Sequence, residues 1–374
     1  MTLSRIIWNR ADIAEYILVF GLTLFFDKEL ICAVLSLLVL GRSKCLIYIN
    51  WKFLLLFSVI FSYAIFTTVS NSYGQNKTVQ QTFLIGVFFQ VYYSVFLGFR
   101  DRLPSVFAKY LNVSYFMSVY ALVFFVLGRH RANSWLIEPS YFAMLITPAT
   151  AYYVLYSSFR NVRTIVIVMA NLLSFSTASV AILCVIFFCK YVIKKNIIYK
   201  CLFVLLSMVL ISSSYILQNV ENEAIMDINM KIDESVTALS YTDISNLESL
   251  NASTYALFAN WNVAIQAPNR FLGTGLGTHE QSYELIYPWT GFELWGLNAT
   301  DAYSLFVRIL SEFGIVGISI FILFLINHFN RNNAINVSVL FVILYDLLRG
   351  GHYVLYGTVF FVFLYYYTSK IQLK

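Results

Sequence analysis

Charge is scarce in this sequence. Only 12% of its 374 residues are Asp, Glu, Lys or Arg, against about 25% in a soluble domain, and the shortage excludes an ordinary water-soluble globule. Paired Cys or His ligands at metal-binding spacing are missing as well. The five cysteines (Cys32, Cys45, Cys184, Cys189 and Cys201) fall in apolar runs or beside basic loops, and none lies in the polar stretch after residue 217. Neither disulfides nor a metal cluster is expected, and no cofactor is implied. There is no Ser-His-Asp order with a nucleophile elbow, no phosphate-cradling lysine loop and no internal repeat. The formal charge of +6 does not point to nucleic acid, because the basic residues sit in short clusters between apolar runs.

Those runs dominate what is present. Hydrophobic residues make up 59% of the chain, aromatics 18%, and the mean hydropathy is +0.72. A helix needs about 20 apolar residues to span hydrocarbon. Twelve crossings are expected, near 12–26, 29–41, 46–69, 81–99, 105–127, 140–157, 164–177, 179–193, 199–217, 303–327, 334–349 and 354–369. The first run carries Asp12 and Glu15 and has no small-residue cleavage site, so it reads as retained rather than as a signal peptide. The stretch 164–193 would be about 45 Å long as one helix. Basic residues flank both of its ends, and Ser174, Ser176, Thr177 and Ser179 interrupt it, so a tight re-entrant hairpin is expected. The fold class is thus an all-α integral membrane protein of about 12 transmembrane helices. A bundle of nine crossings spans 1–217, a large loop 218–301, and a bundle of three crossings 302–374.

Orientation follows from the cations. With both termini cytoplasmic, 17 of the 25 Lys and Arg residues fall on the inner side, as the positive-inside rule requires. The loop 218–301 carries eleven acids against Lys231 and Arg270 and belongs outside. Within it, Leu247, Leu250, Tyr255, Phe258, Trp261 and Ala264 recur at steps that predict an amphipathic helix.

The eight cations left outside include five arginines at or near the boundary: Arg129, Arg131, Arg270, Arg308 and Arg349. A guanidinium offers a planar fork that matches phosphate oxygens, so this set suits a lipid-linked pyrophosphate. The same spacing also allows intrahelical pairs, Arg308 with Glu312 and Asp346 with Arg349, while Arg129 and Arg131 fit interfacial anchors. Glu138 precedes Pro139 at a helix start and reads either as a cap or as a general base or sugar-hydroxyl ligand. His279 ends the run Asn269 to His279, in which Gly273, Gly275 and Gly277 give a turn open to close backbone approach. It is a second candidate base, or simply a solvated side chain. His130, His328 and His352 look less well placed.

Three stretches resemble the bacterial superfamily of O-antigen polymerases (Wzy type) and ligases. One is Arg131 to Tyr141, with Glu138-Pro139-Ser140 at a helix head; another is Ser174 to Ser179. The third runs from Trp261 through Pro268 and the glycines to Tyr303-Ser304-Leu305-Phe306 and Glu312-Phe313-Gly314-Ile315-Val316-Gly317. Two positions depart from the pattern: Thr300-Asp301 stands where relatives, ligases above all, often show His-Asn, and Asn251-Ala252-Ser253 where they tend to place an arginine. The resemblance implies a GT-C-like multi-pass protein of the bacterial inner membrane. It also implies a metal-independent, inverting transfer of a growing glycan from undecaprenyl pyrophosphate to the terminal sugar hydroxyl of an incoming lipid-linked unit. A chain-length regulator and a flippase are the implied pathway partners, beside membrane lipid.

Overall fold

A computed structural model describes residues 10–24, 51–136, 138–192, 244–354 and 356–370, with isolated residues 31, 34, 38, 39, 230, 234, 237 and 238. The described residues form helices and connecting turns, with no strand among them. In chain order the helices are α1 (Arg10–Leu24), α2 (Trp51–Ser70), α3 (Asn76–Gly98), α4 (Leu103–Val126), α5 (Pro139–Tyr156), α6 (Val162–Leu172), α7 (Thr177–Tyr191), α8 (Ile244–Leu247), α9 (Ala252–Gln266), α10 (His279–Ile286), α11 (Leu305–Asn327), α12 (Ala334–Leu348) and α13 (Tyr356–Ser369). Among the described residues, three spans are long and apolar enough to cross a membrane: Asn76–Gly98, Arg100–Val126 and Leu305–Asn327. Shorter apolar helices accompany them. Ten of the expected crossings coincide with a described helix; 29–41 and 199–217 lie outside the described residues apart from the isolated positions.

The bundle is organised around α5. Every residue from Phe142 to Ala151 is buried, as expected of a helix that is apolar on all sides. Its small residues Ala143, Thr147, Ala149, Thr150 and Ala151 let neighbouring helices approach closely, and α12, α6 and α7 all pack along it. Glu15 is fully buried where α1 meets the start of α4. It is held by Arg102 at 2.7 Å, by the Ser105 hydroxyl at 2.7 Å and by Lys109, so the acid that interrupts the first apolar run is neutralised inside the protein.

The serine-rich interruption is a bend, and its backbone is satisfied by protein. Phe175 turns with φ 48°, and Ala132 donates its N–H to the Leu173 carbonyl at 2.9 Å. Asn171 reaches Thr150 of α5 at 3.0 Å, while Ser174 bonds back to Asn171 at 2.6 Å. The expected tight hairpin is corrected in one respect: α6 and α7 pack on α5 far more than on each other. α6 buries the face bearing Thr164, Ile167, Val168 and Asn171, and only near the bend does that face meet α7, where Ser179 donates to Asn171.

The segment 244–301 has a core of its own, built from Leu247, Tyr255, Phe258, Val263, Tyr283 and Tyr287 with Trp295 packed against it. The amphipathic helix is α9, where the buried positions include Tyr255, Phe258 and Ala264. Asn251 caps it by accepting from the N–H groups of Ser253 and Thr254, both at 3.1 Å. This is the role Asn251 fills at a position where the resembled superfamily tends to place an arginine. Trp261 stacks on Phe306 at 6.2 Å, which fastens α9 to α11.

Candidate active site

The site is built on a break in α11. Gly314 has φ 63° and ψ −161°, a combination open essentially only to glycine, and a break there strands helical backbone groups. The glycine run meets them. Thr274 and Gly275 donate N–H groups to the carbonyls of Ser311 (3.0 Å) and Glu312 (2.9 Å), and Ile315 and Val316 donate to Arg270 (3.1 Å) and Phe271 (3.2 Å). A Cβ at Gly273 would strike the Glu312 carbonyl, and one at Gly314 would strike that of Phe271. Gly275 lies equally close to Ala64 and Thr68 of α2, and the Tyr63 hydroxyl donates to the Leu272 carbonyl at 2.6 Å. The close backbone approach expected of this run is therefore made to the protein's own helices.

A turn and a half before the break, Arg308 lies in the floor of an open cleft of about 260 Å³ lined by Lys77, Gln81, Glu280, Thr300, His352 and Tyr353, among others. Its side chain is 4% exposed. Nε donates to Glu312 Oε1 at 3.2 Å, Nη1 to the Gly351 carbonyl at 2.6 Å and Nη2 to Gln81 Oε1 at 2.8 Å. The guanidinium lies over the Tyr353 ring at 4.4 Å, and the Tyr353 hydroxyl donates to Glu312 Oε2 at 2.9 Å. Three of its five N–H donors are thereby used. The predicted i,i+4 pair exists, and Gln81 and residues 351–353 complete the clamp from elsewhere.

One more ion pair and a histidine–carboxylate contact line the cleft. Lys77 of α3 meets Glu280 of α10, and His352 Nε2 lies 3.1 Å from Asp301 Oδ2. Burial pushes the Asp301 carboxyl up, but His352, the Tyr303 N–H and Arg308 outweigh it, and the net position is below the ordinary value. Asp301 stands at the first departure from the family pattern, and its histidine comes from the turn before α13.

A second junction gathers all three stretches that carry the resemblance. Arg349 reaches Glu138 Oε2 at 3.5 Å and lies over the Tyr303 ring at 4.2 Å. Ser140 donates to the same Glu138 oxygen at 2.9 Å. The Tyr345 hydroxyl donates to the Ser140 carbonyl at 3.0 Å and shares a hydrogen bond of 2.8 Å with Ser176. Glu138 is the N-cap residue of α5, yet its side chain makes no cap bond. The anticipated Asp346–Arg349 pair is corrected: α12 ends at Leu348, and Arg349 turns away in extended backbone (φ −151°, ψ 106°). Asp346 instead accepts from Thr358 at 3.3 Å. The two junctions touch through the 350–351 turn, where Gly350 donates its N–H to the Tyr303 carbonyl at 3.1 Å.

The remaining expected site residues are placed differently. Arg129 binds Asn133 Oδ1 and the Ser134 carbonyl within its own loop, and Arg131 is half-buried beside it. Arg270 is exposed, with only its carbonyl tied to the α11 break. His279 is 1% exposed, which corrects the picture of a loop histidine in solvent. Asn260 Nδ2 donates to the carbonyls of Ala256 (2.6 Å) and Leu297 (3.1 Å), so its Oδ1 must accept, and His279 Nε2 donates to it at 2.9 Å. Nδ1 keeps the lone pair, buried and without a partner among the described residues. Burial above all, with help from Arg308, lowers its pKa to about 3.

Of the four histidines, His279 is therefore expected to stay neutral, as the Nε2–H tautomer, down to about pH 4. Imidazole ¹⁵N shifts across a pH series check this, and a midpoint near 6 at His279 would contradict the burial. Because the unfolded state binds this proton below about pH 6.5 and the folded state does not, the contribution of His279 to stability falls as pH drops through that window.

Sequence reasoning missed His352, Asp301, Gln81 and Tyr353 as members of one site. The only local signal was the Gly350-Gly351 pair, whose second member rests against the Asp301 carbonyl with no room for a Cβ. No family model matches the sequence, and no curated protein and no solved structure matches it.

Proposed function

We propose that this chain is a membrane glycosyltransferase that polymerises undecaprenyl-pyrophosphate-linked O-antigen repeat units. The observation that carries this reading is Arg308: a clamped, aromatic-backed guanidinium in the floor of an open cleft, with two N–H donors left over. In the reaction the terminal sugar hydroxyl of the incoming unit attacks the anomeric carbon of the growing glycan, and lipid pyrophosphate departs. A fixed guanidinium suits the charge that develops on that leaving group, and it needs no reorganisation to do so. Gln80, Gln81, Glu280 and Thr300 add hydroxyl-matching groups to the walls, as a sugar acceptor requires. The lining residues come from segments that the charge bias assigns to the outer side and from the adjoining ends of the expected crossings, at the face where lipid-linked repeat units are extended. Arg349 with Glu138 forms a second cation–carboxylate pair for the same substrates, and the acidic outer segment supports glycan rather than anionic lipid as its neighbour.

Surface lipopolysaccharide from a deletion strain tests the proposal. The expected gel shows lipid A–core carrying a single repeat unit, since export and ligation survive and extension fails. Bare core with long polymer stranded on the lipid carrier would make the chain a ligase. Bare core with no outward repeat units would make it a flippase.

A further inference from the structure

We infer that His352, oriented by Asp301, takes the proton from the acceptor sugar hydroxyl; this rests on the transfer reaction proposed above. A base for that step must reach the cleft, hold a free lone pair and be fixed in direction. The other acids and bases each fail one requirement. His279 is sealed off at 1% exposure. Glu312 is buried and bound by both Arg308 and Tyr353. Glu280 is held by Lys77, and Glu138 lies at the second junction and does not line the cleft.

His352 meets all three. It lines the cleft and is one-third exposed. Its Nε2 faces Asp301 Oδ2 at 3.1 Å, while Asp301 Oδ1 accepts the Tyr303 N–H at 3.1 Å, so the carboxylate itself cannot swing. With Nε2–H donated to the carboxylate, Nδ1 carries the lone pair. The backbone just before the ring is pinned by Gly350 N–H to Tyr303 and by Arg308 to the Gly351 carbonyl. The same guanidinium that faces the leaving group thus sets the position of the base.

The step balances without a further reactant. The acceptor oxygen forms its bond to the anomeric carbon as its proton passes to His352 Nδ1. The bond from that carbon to the pyrophosphate oxygen breaks, and its electron pair leaves with the lipid pyrophosphate. The imidazolium, faced by Asp301, returns its proton to water. Asp301 is a positioning residue in this scheme, and His352 the catalytic one.

The test uses the full-length protein in proteoliposomes supplied with lipid-linked repeat units from a polymerisation-blocked strain. His352→Gln keeps a donor for Asp301 but cannot accept a proton. It is expected to lower kcat at least about 100-fold, with KM for the lipid-linked unit within about threefold of wild type. His352→Ala is expected to regain part of its rate with added imidazole, which a misfolded protein would not do. Asp301→Asn should lose about tenfold in kcat, and Asp301→Glu less. A His352→Gln kcat within threefold of wild type, or a loss confined to KM without imidazole rescue, overturns the inference alone. Wild-type protein that makes no polymer from these units overturns both the inference and the function on which it rests.

Discussion

Arg308→Ala is expected to abolish polymer, with turnover down at least 100-fold, the scale of losing one donor to a developing oxyanion. The single variant also leaves Glu312 buried without its cation, and breaking a buried pair on one side costs about 3–5 kcal/mol. Inactivity and misfolding must therefore be separated. In the double variant Arg308→Gln with Glu312→Gln the buried charge disappears in both partners, and the side chains can still hydrogen-bond to each other. This protein should reach the membrane at normal level and remain inactive. Arg308→Lys should recover only a small fraction of activity, since an ammonium does not reproduce a fork that holds Glu312, Gln81 and Gly351 at once. Polymer within a few-fold of wild type in the double variant would return Arg308 to a purely structural role. Arg129→Ala, by contrast, removes contacts within its own loop and to the Phe124 ring, none of them in the cleft, and should have a small effect.

The largest effect on folding is expected at the break in α11. Gly314→Ala places a Cβ against the Phe271 carbonyl and forces a side chain into backbone space that only glycine occupies. Relieving the strain means giving up some of the four backbone bonds between 270–275 and 311–316, whose buried groups then go unpaired. The combined cost should exceed about 4 kcal/mol, at the far end of single substitutions. Gly273→Ala should behave alike, whereas Gly74→Ala, which meets only the end of the Gln281 side chain at 3.5 Å, should be tolerated. Yield of monodisperse protein in detergent and its thermal unfolding midpoint read this directly. A Gly314→Ala midpoint within about two degrees of wild type would mean that the loop does not hold the helix.

Local pattern carried much of this molecule into view. Apolar runs marked ten helices, Pro139 marked the start of α5, and the spacing of Arg308 and Glu312 marked a pair that forms as an i,i+4 contact. What local pattern could not carry is pairing across distance. The glycine run and Glu312-Phe313-Gly314 were both conspicuous, but that one is the hydrogen-bonding complement of the other follows from no periodicity. His352 and Asp301 are 51 positions apart, and Arg349 and Glu138 are 211 apart. The Asp346–Arg349 spacing misled because the helix stops one residue too soon to bring the two side chains onto one face.

Synthesis order gives the fastened break a further meaning. Residues 270–277 leave the ribosome before 305–327, so the run of glycines is made before the helix that it fastens. Until it docks, the new helix carries unpaired carbonyls and amides at 311–316, in the middle of an otherwise apolar segment. Docking of the glycine run and completion of α11 are therefore one event. A chain whose glycine run fails to dock should hold a defective helix, and be recognisable as such to the proteases that clear unassembled membrane proteins.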